Sequence, residues 1–525
     1  MTLTDRIDHA THTLLPADSN QARGLAEFAI DFMSGHIGQP DRAVVDRVNL
    51  LFTDSVFCGL SAIALQTNAP TVLRAEAADY PDPNGAMIFG STMKVKAEKA
   101  IVANCSAVRE WDSNGTNFGY NPALGHTAGE FGHNDFYPVV VAGCQQRGLD
   151  GNTALRGMIL LDEIRGRLAE VFSLKSYKID HVVHGAIASA VVYGAIMGAT
   201  AEQIESAIGM AVAHYIPYRA IRAGKQLSDS KGASAAISTE AAILSVQRAM
   251  RGFVGPADIF RNPEAVFRLN EPTDGDRAPF DLVPAHSGSD FALMGMHFKL
   301  GLYEHQSAGG LQGLIDLLER TPSLLADPSG AAVASILIKA YQPAFGIIGD
   351  PAKRDPRTRQ SADHSMVYII ATKLRKALDL AQQDGIAAPA DTNDGWWQAL
   401  MLTPYDYSHE ALFHPVTRAL MDRITFEHGG PDYDANYPDG IPTSIVITDN
   451  TGTAHDSGLV MYPSGHARNT TADLPAILSH KFELLGNIAV NDPADIINRF
   501  ALTDCTPSDV ASLYDFEINT HDGYE

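Results

Sequence analysis

Residues 182–201 carry no formal charge and consist largely of Gly, Ala, Val and Ile. A helix that is apolar all round has to be covered on every side, by protein or by lipid. This run contains His184 and has little Leu or Phe to drive insertion. Its small side chains let neighbouring helices approach closely. It therefore reads as a buried helix inside a helical assembly, and no membrane-spanning segment is expected.

The flanking sequence supports a helical body. Val44, Val48, Leu51 and Phe52 fall on one helical face. Thr200 and Gln203 have capping-box spacing, and Ile204, Ile208, Ala211 and Val212 then form an apolar stripe. Residues 234–250 are Ala-rich, rich in helix formers, and end before Gly252. After about residue 255 the pattern changes. Pro256, Pro263, Pro272, Pro279 and Pro284 punctuate a polar stretch that suits a domain boundary. Strand patterns follow at 333–341, 444–448 and 453–461, the last two flanking Asp449-Asn450-Thr451-Gly452, a hairpin signal. Helical patterns persist at 365–380 and 474–485. A chain of 525 residues exceeds one ordinary core, so two or three domains are expected.

The formal net charge is −23, from 39 basic and 62 acidic residues, which disfavours nucleic acid and anionic membrane as partners. An anionic ligand would need a local basic pocket. Cys58, Cys105, Cys144 and Cys505 are too scattered for a zinc knuckle, a redox pair or an iron–sulfur ligand set. They suit free thiols in a reducing cytosol. The polar, acid-containing residues 1–21 resemble neither a secretory signal nor a transit peptide, so a cytoplasmic location is expected. There is no dinucleotide fingerprint, phosphate loop, nucleophile elbow or zincin motif. His409 and His414 stand at i and i+5, roughly 140° apart on a helix, and fail as a zinc pair. Neither a cofactor nor a metal is expected.

Four segments gather chemically capable residues. Residues 109–137 hold Asp112, Thr116, His126 and His133 among Gly and Asn, a composition that suits either a site on loops or a set of turns and caps. In residues 175–184, His181 lies at a helix start, where the positive end of the dipole favours a neutral imidazole. His184 leads into the uncharged run and reads as a core histidine. Residues 219–231 set Arg219, Arg222, Lys225 and Lys231 against one acid, Asp229. That is either a carboxylate site or a solvated basic face. The fourth segment has His297-Phe298-Lys299 and then Tyr303-Glu304-His305-Gln306, near the proposed boundary where a ligand cleft is common, though by itself it reads as an ordinary amphipathic element with a solvated Lys.

In combination and in order, these segments resemble the MmgE/PrpD family over nearly the whole chain. Thr358-Arg359-Gln360-Ser361-Ala362-Asp363-His364-Ser365 and Tyr462-Pro463-Ser464-Gly465-His466 look like its dehydratase branch. The family's D-x-x-x-T loop matches Asp112 and Thr116, its Gly-His matches Gly132-His133, and its helix-start histidine matches His181. Its lysine before the Ala-rich helix matches Lys231. Its lysine opening the second domain matches Lys299, followed by a histidine segment at His305. Two departures stand out. Ser113-Asn114-Gly115 replaces the Phe-Asp-Asp of many members, and a longer stretch separates Thr116 from His133, leaving His126 as an alternative.

The resemblance implies a mostly α fold. A large all-helical domain, residues 1–290 with the tail 468–525 packed back onto it, would carry a smaller α+β lid, residues 291–467, in a homodimer. It implies dehydration of a small polycarboxylate such as 2-methylcitrate or citrate, without metal, as in the methylcitrate cycle of propionate breakdown. Lys231, Lys299 and Thr116 would hold carboxylates. His133 and His181 would act as acid and base in either order, and Asp112 would orient a histidine. Decarboxylation of cis-aconitate and epimerisation begin at the same kind of carbon, so these residues do not separate the three reactions. A non-catalytic carboxylate-binding protein is the alternative of another class.

Overall fold

The computed structural model describes residues 6–222, 226–383 and 392–524. Lys225 of the basic segment lies outside them. Helix dominates and the sheets are small, a mostly α fold.

The uncharged run forms the helix Val182–Met197, buried almost throughout. It ends at Gly198, whose φ of 81° allows the left-handed cap that closes the last turn. The helices Gly151–Val171, Ala201–His214 and Asp229–Met250 surround it. Its small residues are needed for this contact. The Phe136 ring lies over Gly185 so closely that a β-carbon there would come within 2.0 Å of it, and Ile204 fills the space over Gly194. The capping box at Thr200 and Gln203 is formed, and the buried face of its helix carries Ile204, Ile208, Ala211 and Val212.

Among the described residues one helix, Arg42–Ala64, is long and apolar enough to cross a membrane, and 83% of its apolar window is buried inside the protein. Much of that cover comes from the far end of the chain. The helix Leu474–Ala489 packs along it, with Phe57 and Phe482 stacked at 5.7 Å between ring centroids. Phe500 sets its ring edge-on against both Phe52 and Phe57.

The second half contributes a four-stranded sheet in the order Ala454–Asp456, Thr443–Asp449, Val333–Ala340, Ile424–His428. Val333–Ala340 runs parallel to Ile424–His428 and antiparallel to Thr443–Asp449, with Ile336 opposite both Ile424 and Ile447. The hairpin turn at 449–453 is held by the Asp449 carboxylate, which accepts from the Thr451 and Thr453 amides. The outer strand is shorter than the β-rich pattern of 453–461 predicts. It stops at Asp456, where Gly458 turns the chain at φ 74°, and Val460 then bridges back to Thr443.

Candidate active site

The site begins with a short antiparallel ribbon. Thr116–Phe118 pairs with Phe131–His133, and Thr116 stands opposite His133. The Thr116 backbone exchanges hydrogen bonds with His297 on its other side, at 3.0 and 2.7 Å. That bridge brings in the segment carrying Lys299, Glu304 and His305. The Tyr303 amide donates to the Asp112 carbonyl and the Glu304 amide to the Asp363 carbonyl, so backbone bonds lock three distant segments together. Asp112 follows the helix Ala97–Glu110, His181 is the N-cap residue of Val182–Met197, and Lys231 lies in the first turn of Asp229–Met250.

These elements enclose a cavity of about 360 Å³, lined in part by Asp112, Thr116, His133, His181 and His305. Lys231 and Lys299 are fully buried behind this wall. Lys299 is ion-paired with Asp112. The Lys231 ammonium lies 3.0 and 3.2 Å from the two carboxylate oxygens of Asp363 and 3.8 Å from Asp112. Neither lysine faces the cavity as a free cation. Thr116 is engaged too, since its hydroxyl donates to the Gly132 carbonyl at 2.8 Å.

Asp112 is the hub of this network. Arg109 approaches it at 3.1 Å and the His364 Nε2 at 3.1 Å, in addition to the two lysines. Burial pushes its carboxyl upward, but Arg109, Lys299, His364 and Lys231 outweigh burial and hold it well below the usual carboxylate range. Burial brings Lys231 down to about 8, against the pull of Asp363 and Asp112. Ligand atoms of Asp112, Asp363 and His364 lie within 4.8 Å of one another, spacing that suits a cation. Lys231, Lys299 and Arg109 already supply the counter-charge, so a metal ion would have to displace them.

The histidines differ in what surrounds them. Burial, then Arg109 and Lys299, drives His133 well below an ordinary imidazole. Arg109 Nη2 points at its Nε2 from 3.5 Å, and an arginine can only donate, so that lone pair is occupied. His181 is also driven down, mainly by burial, but Asp180 opposes the shift from 3.5 Å at Nδ1. Its Nε2 has no hydrogen-bond partner. The two rings lie edge to face at 5.2 Å. His305 has no partner at either ring nitrogen and stacks on His297 at 4.7 Å, which stacks in turn on His466 at 4.1 Å.

His126 does not line the cavity. It bridges to Asn121 and sits near Arg167 and Asp281. His184 Nε2 donates to the Phe172 carbonyl at 3.0 Å in the core. Residues that line the cavity without having been given a role there from sequence include Arg109, Glu304, His364 and Lys353. Burial, reinforced by Asp112, pushes Glu304 up to about 7. Burial, then Lys231, lowers His364 to about 3. The only sequence signals for them were their positions, Glu304 beside His305 and His364 inside the 358–365 motif.

Residues 23–274 match the MmgE/PrpD N-terminal domain. The 2-methylcitrate dehydratase of Salmonella typhi is 22% identical over 462 residues, covering 84% of this chain and 86% of the relative. The mitochondrial 2-methylcitrate dehydratase of Yarrowia lipolytica is 24% identical over 450 residues, covering 83% and 78%. The 2-methylcitrate dehydratase of Cupriavidus necator is 23% identical over 461 residues, covering 83% and 84%.

Proposed function

Because this chain belongs to the MmgE/PrpD family, we propose that it is a hydro-lyase dehydrating 2-methylcitrate, or a similar tricarboxylate such as citrate, to the cis-alkene acid. One observation carries the proposal. Asp112, His133, His181 and His305, drawn from three separate segments, converge on one cavity within a molecule of net charge −23.

The reaction needs a base for the proton next to a carboxylate and an acid for the departing hydroxyl. His181 suits the base. Its Nε2 is unpartnered, and Asp180 beside Nδ1 stabilises the imidazolium that forms. His133 suits that role less, because Arg109 holds its Nε2 and, among the described residues, its unpartnered Nδ1 has no carboxylate within 4.0 Å like the one Asp180 offers His181. It is better placed as a neutral hydrogen-bonding wall. Glu304, protonated below about 7, suits the acid. In this scheme the C–H electron pair forms the alkene, His181 takes the proton, the C–O bond breaks, and hydroxide leaves as water with the proton of Glu304. Lys231 and Lys299 act indirectly, by fixing Asp112.

Incubating the purified protein with 2-methylcitrate, citrate and cis-aconitate, followed by proton NMR, tests the reading. The expected product is the dehydrated acid. Loss of carbon dioxide would make it a decarboxylase and inversion alone an epimerase. Binding without turnover would make it a carboxylate-binding protein.

The pH profile follows from the two roles. His181 must be neutral, so the acid limb of kcat/KM should lie below pH 6.5. Glu304 must be protonated, so activity should fall as pH rises through about 7. Glu304→Gln should lower kcat by about 10²–10⁴-fold and abolish that alkaline limb. An unchanged alkaline limb in the variant would remove Glu304 from the mechanism.

A further inference from the structure

Most cations around the cavity are already neutralised by the protein. Arg109 is held by Asp112 and Asp135, Lys231 by Asp363, Lys299 by Asp112 and Arg222 by Asp180. Arg219 and Lys353 differ. Both line the cavity, and among the described residues neither has a carboxylate within 4.0 Å. Arg219 is half-buried, and its Nη1 is buried without a hydrogen-bond partner.

Their placement is fixed by backbone structure. The Arg219 amide donates to the Lys178 carbonyl at 2.8 Å and the Asp180 amide to the Pro217 carbonyl at 2.9 Å. These bonds set Arg219 beside the Asp180-His181 turn. Lys353 ends the short 3₁₀ turn Pro351–Lys353, which the Asp350 carboxylate caps through the Ala352 amide at 2.7 Å. That turn follows the sheet strand Val333–Ala340. One cation thus comes from the helical body and the other from the sheet-bearing part. Both reach the same cavity, where burial lowers the Lys353 ammonium against the pull of Glu304, Asp363 and Asp350. Neither cation is closed off by a paired carboxylate within 4.0 Å, so a bound anion can take up the donors that each presents to the cavity.

We propose that Arg219 and Lys353 form a two-sided carboxylate clamp, binding the substrate carboxylates remote from the carbon that loses its proton. The clamp rests on the polycarboxylate reading above and refines it. The guanidinium takes one carboxylate through paired N–H donors and the ammonium takes another as a point charge. The ligand class is a small di- or tricarboxylate that spans the cavity. A monocarboxylate satisfies one cation only.

Calorimetric binding of tricarballylate tests the clamp apart from the chemistry, because this saturated tricarboxylate has no hydroxyl to lose. Arg219→Gln and Lys353→Gln should each raise its Kd by about 10–100-fold. Lys353→Arg should keep affinity within about tenfold of wild type, which also guards against a folding defect in the glutamine variant. Both glutamine variants should raise KM for 2-methylcitrate more than they lower kcat. Affinities within about twofold of wild type in both glutamine variants, or no binding by the wild type, would overturn the clamp. Wild-type turnover of 2-methylcitrate alongside such unchanged affinities would leave the hydro-lyase reading standing. Lost binding in the variants of a protein that turns over none of the acids would do the opposite.

Discussion

Replacing His181 with alanine is expected to lower kcat by about 10²–10⁴-fold while leaving the protein folded. The fold should tolerate the change because the ring makes no hydrogen bond that the surrounding backbone needs. The helix start at Val182 is fixed instead by the Asp180 carboxylate, which accepts from the Val182 amide at 3.3 Å. The catalytic loss should be large because His181 combines a free Nε2, a place on the cavity wall and a carboxylate behind Nδ1. His133→Ala should cost less, about 10²–10³-fold, the scale of losing one fixed polar group that stabilises developing charge. The acid limb of the pH profile separates the two variants. It should persist in His133→Ala and vanish from the residual activity of His181→Ala. Turnover near wild type in His181→Ala would end its role as the base.

Most of the helical body could be read from local pattern. The capping box at Thr200, the stripe at 204–212 and the uncharged run each report their environment within one or two turns. The site was legible only as residue types. Spacing from Thr116 left His126 and His133 as alternatives, because ribbon register is a pairing property and not a local one. The structure places Thr116 opposite His133 and leaves His126 in a turn with Asn121. The lysines show a second limit. Their abundance in a −23 chain suggested free cations for substrate, yet Lys231 and Lys299 each face a buried aspartate. A sequence names a charge but not its counter-ion. Asp363 lies far along the chain from Lys231, and only the folded backbone joins them. The same reason hid Glu304, whose position depends on bonds from its own amide to Asp363 and from Tyr303 to Asp112.

The helix Leu474–Ala489 bears directly on the site, and Lys481→Met is expected to show it in both stability and turnover. The Lys481 ammonium lies buried between the Asp54 carboxylate at 2.6 Å, the Ser113 carbonyl at 2.7 Å and the Lys299 carbonyl at 2.9 Å. It therefore joins three elements. Asp54 belongs to the apolar helix Arg42–Ala64, Ser113 follows Asp112, and Lys299 is the partner of Asp112. Methionine keeps the length of the stem but leaves Asp54 buried without its cation, and two carbonyls without their donor. Breaking a buried pair in this way costs about 3–5 kcal/mol, so the urea midpoint should fall clearly. Burial already pushes the Asp54 carboxyl upward against the opposing pull of Lys481. In the variant that opposition is gone, and the Asp54 carboxyl should move further upward. Adding Asp54→Leu removes the stranded acid and should recover part of the lost stability. It should not recover turnover, because the carbonyls on either side of the Asp112–Lys299 pair still lack their tether. A double variant that regained full activity would show that Lys481 serves stability alone. An unchanged urea midpoint in the single variant would mean that the pair does not hold the tail to the body.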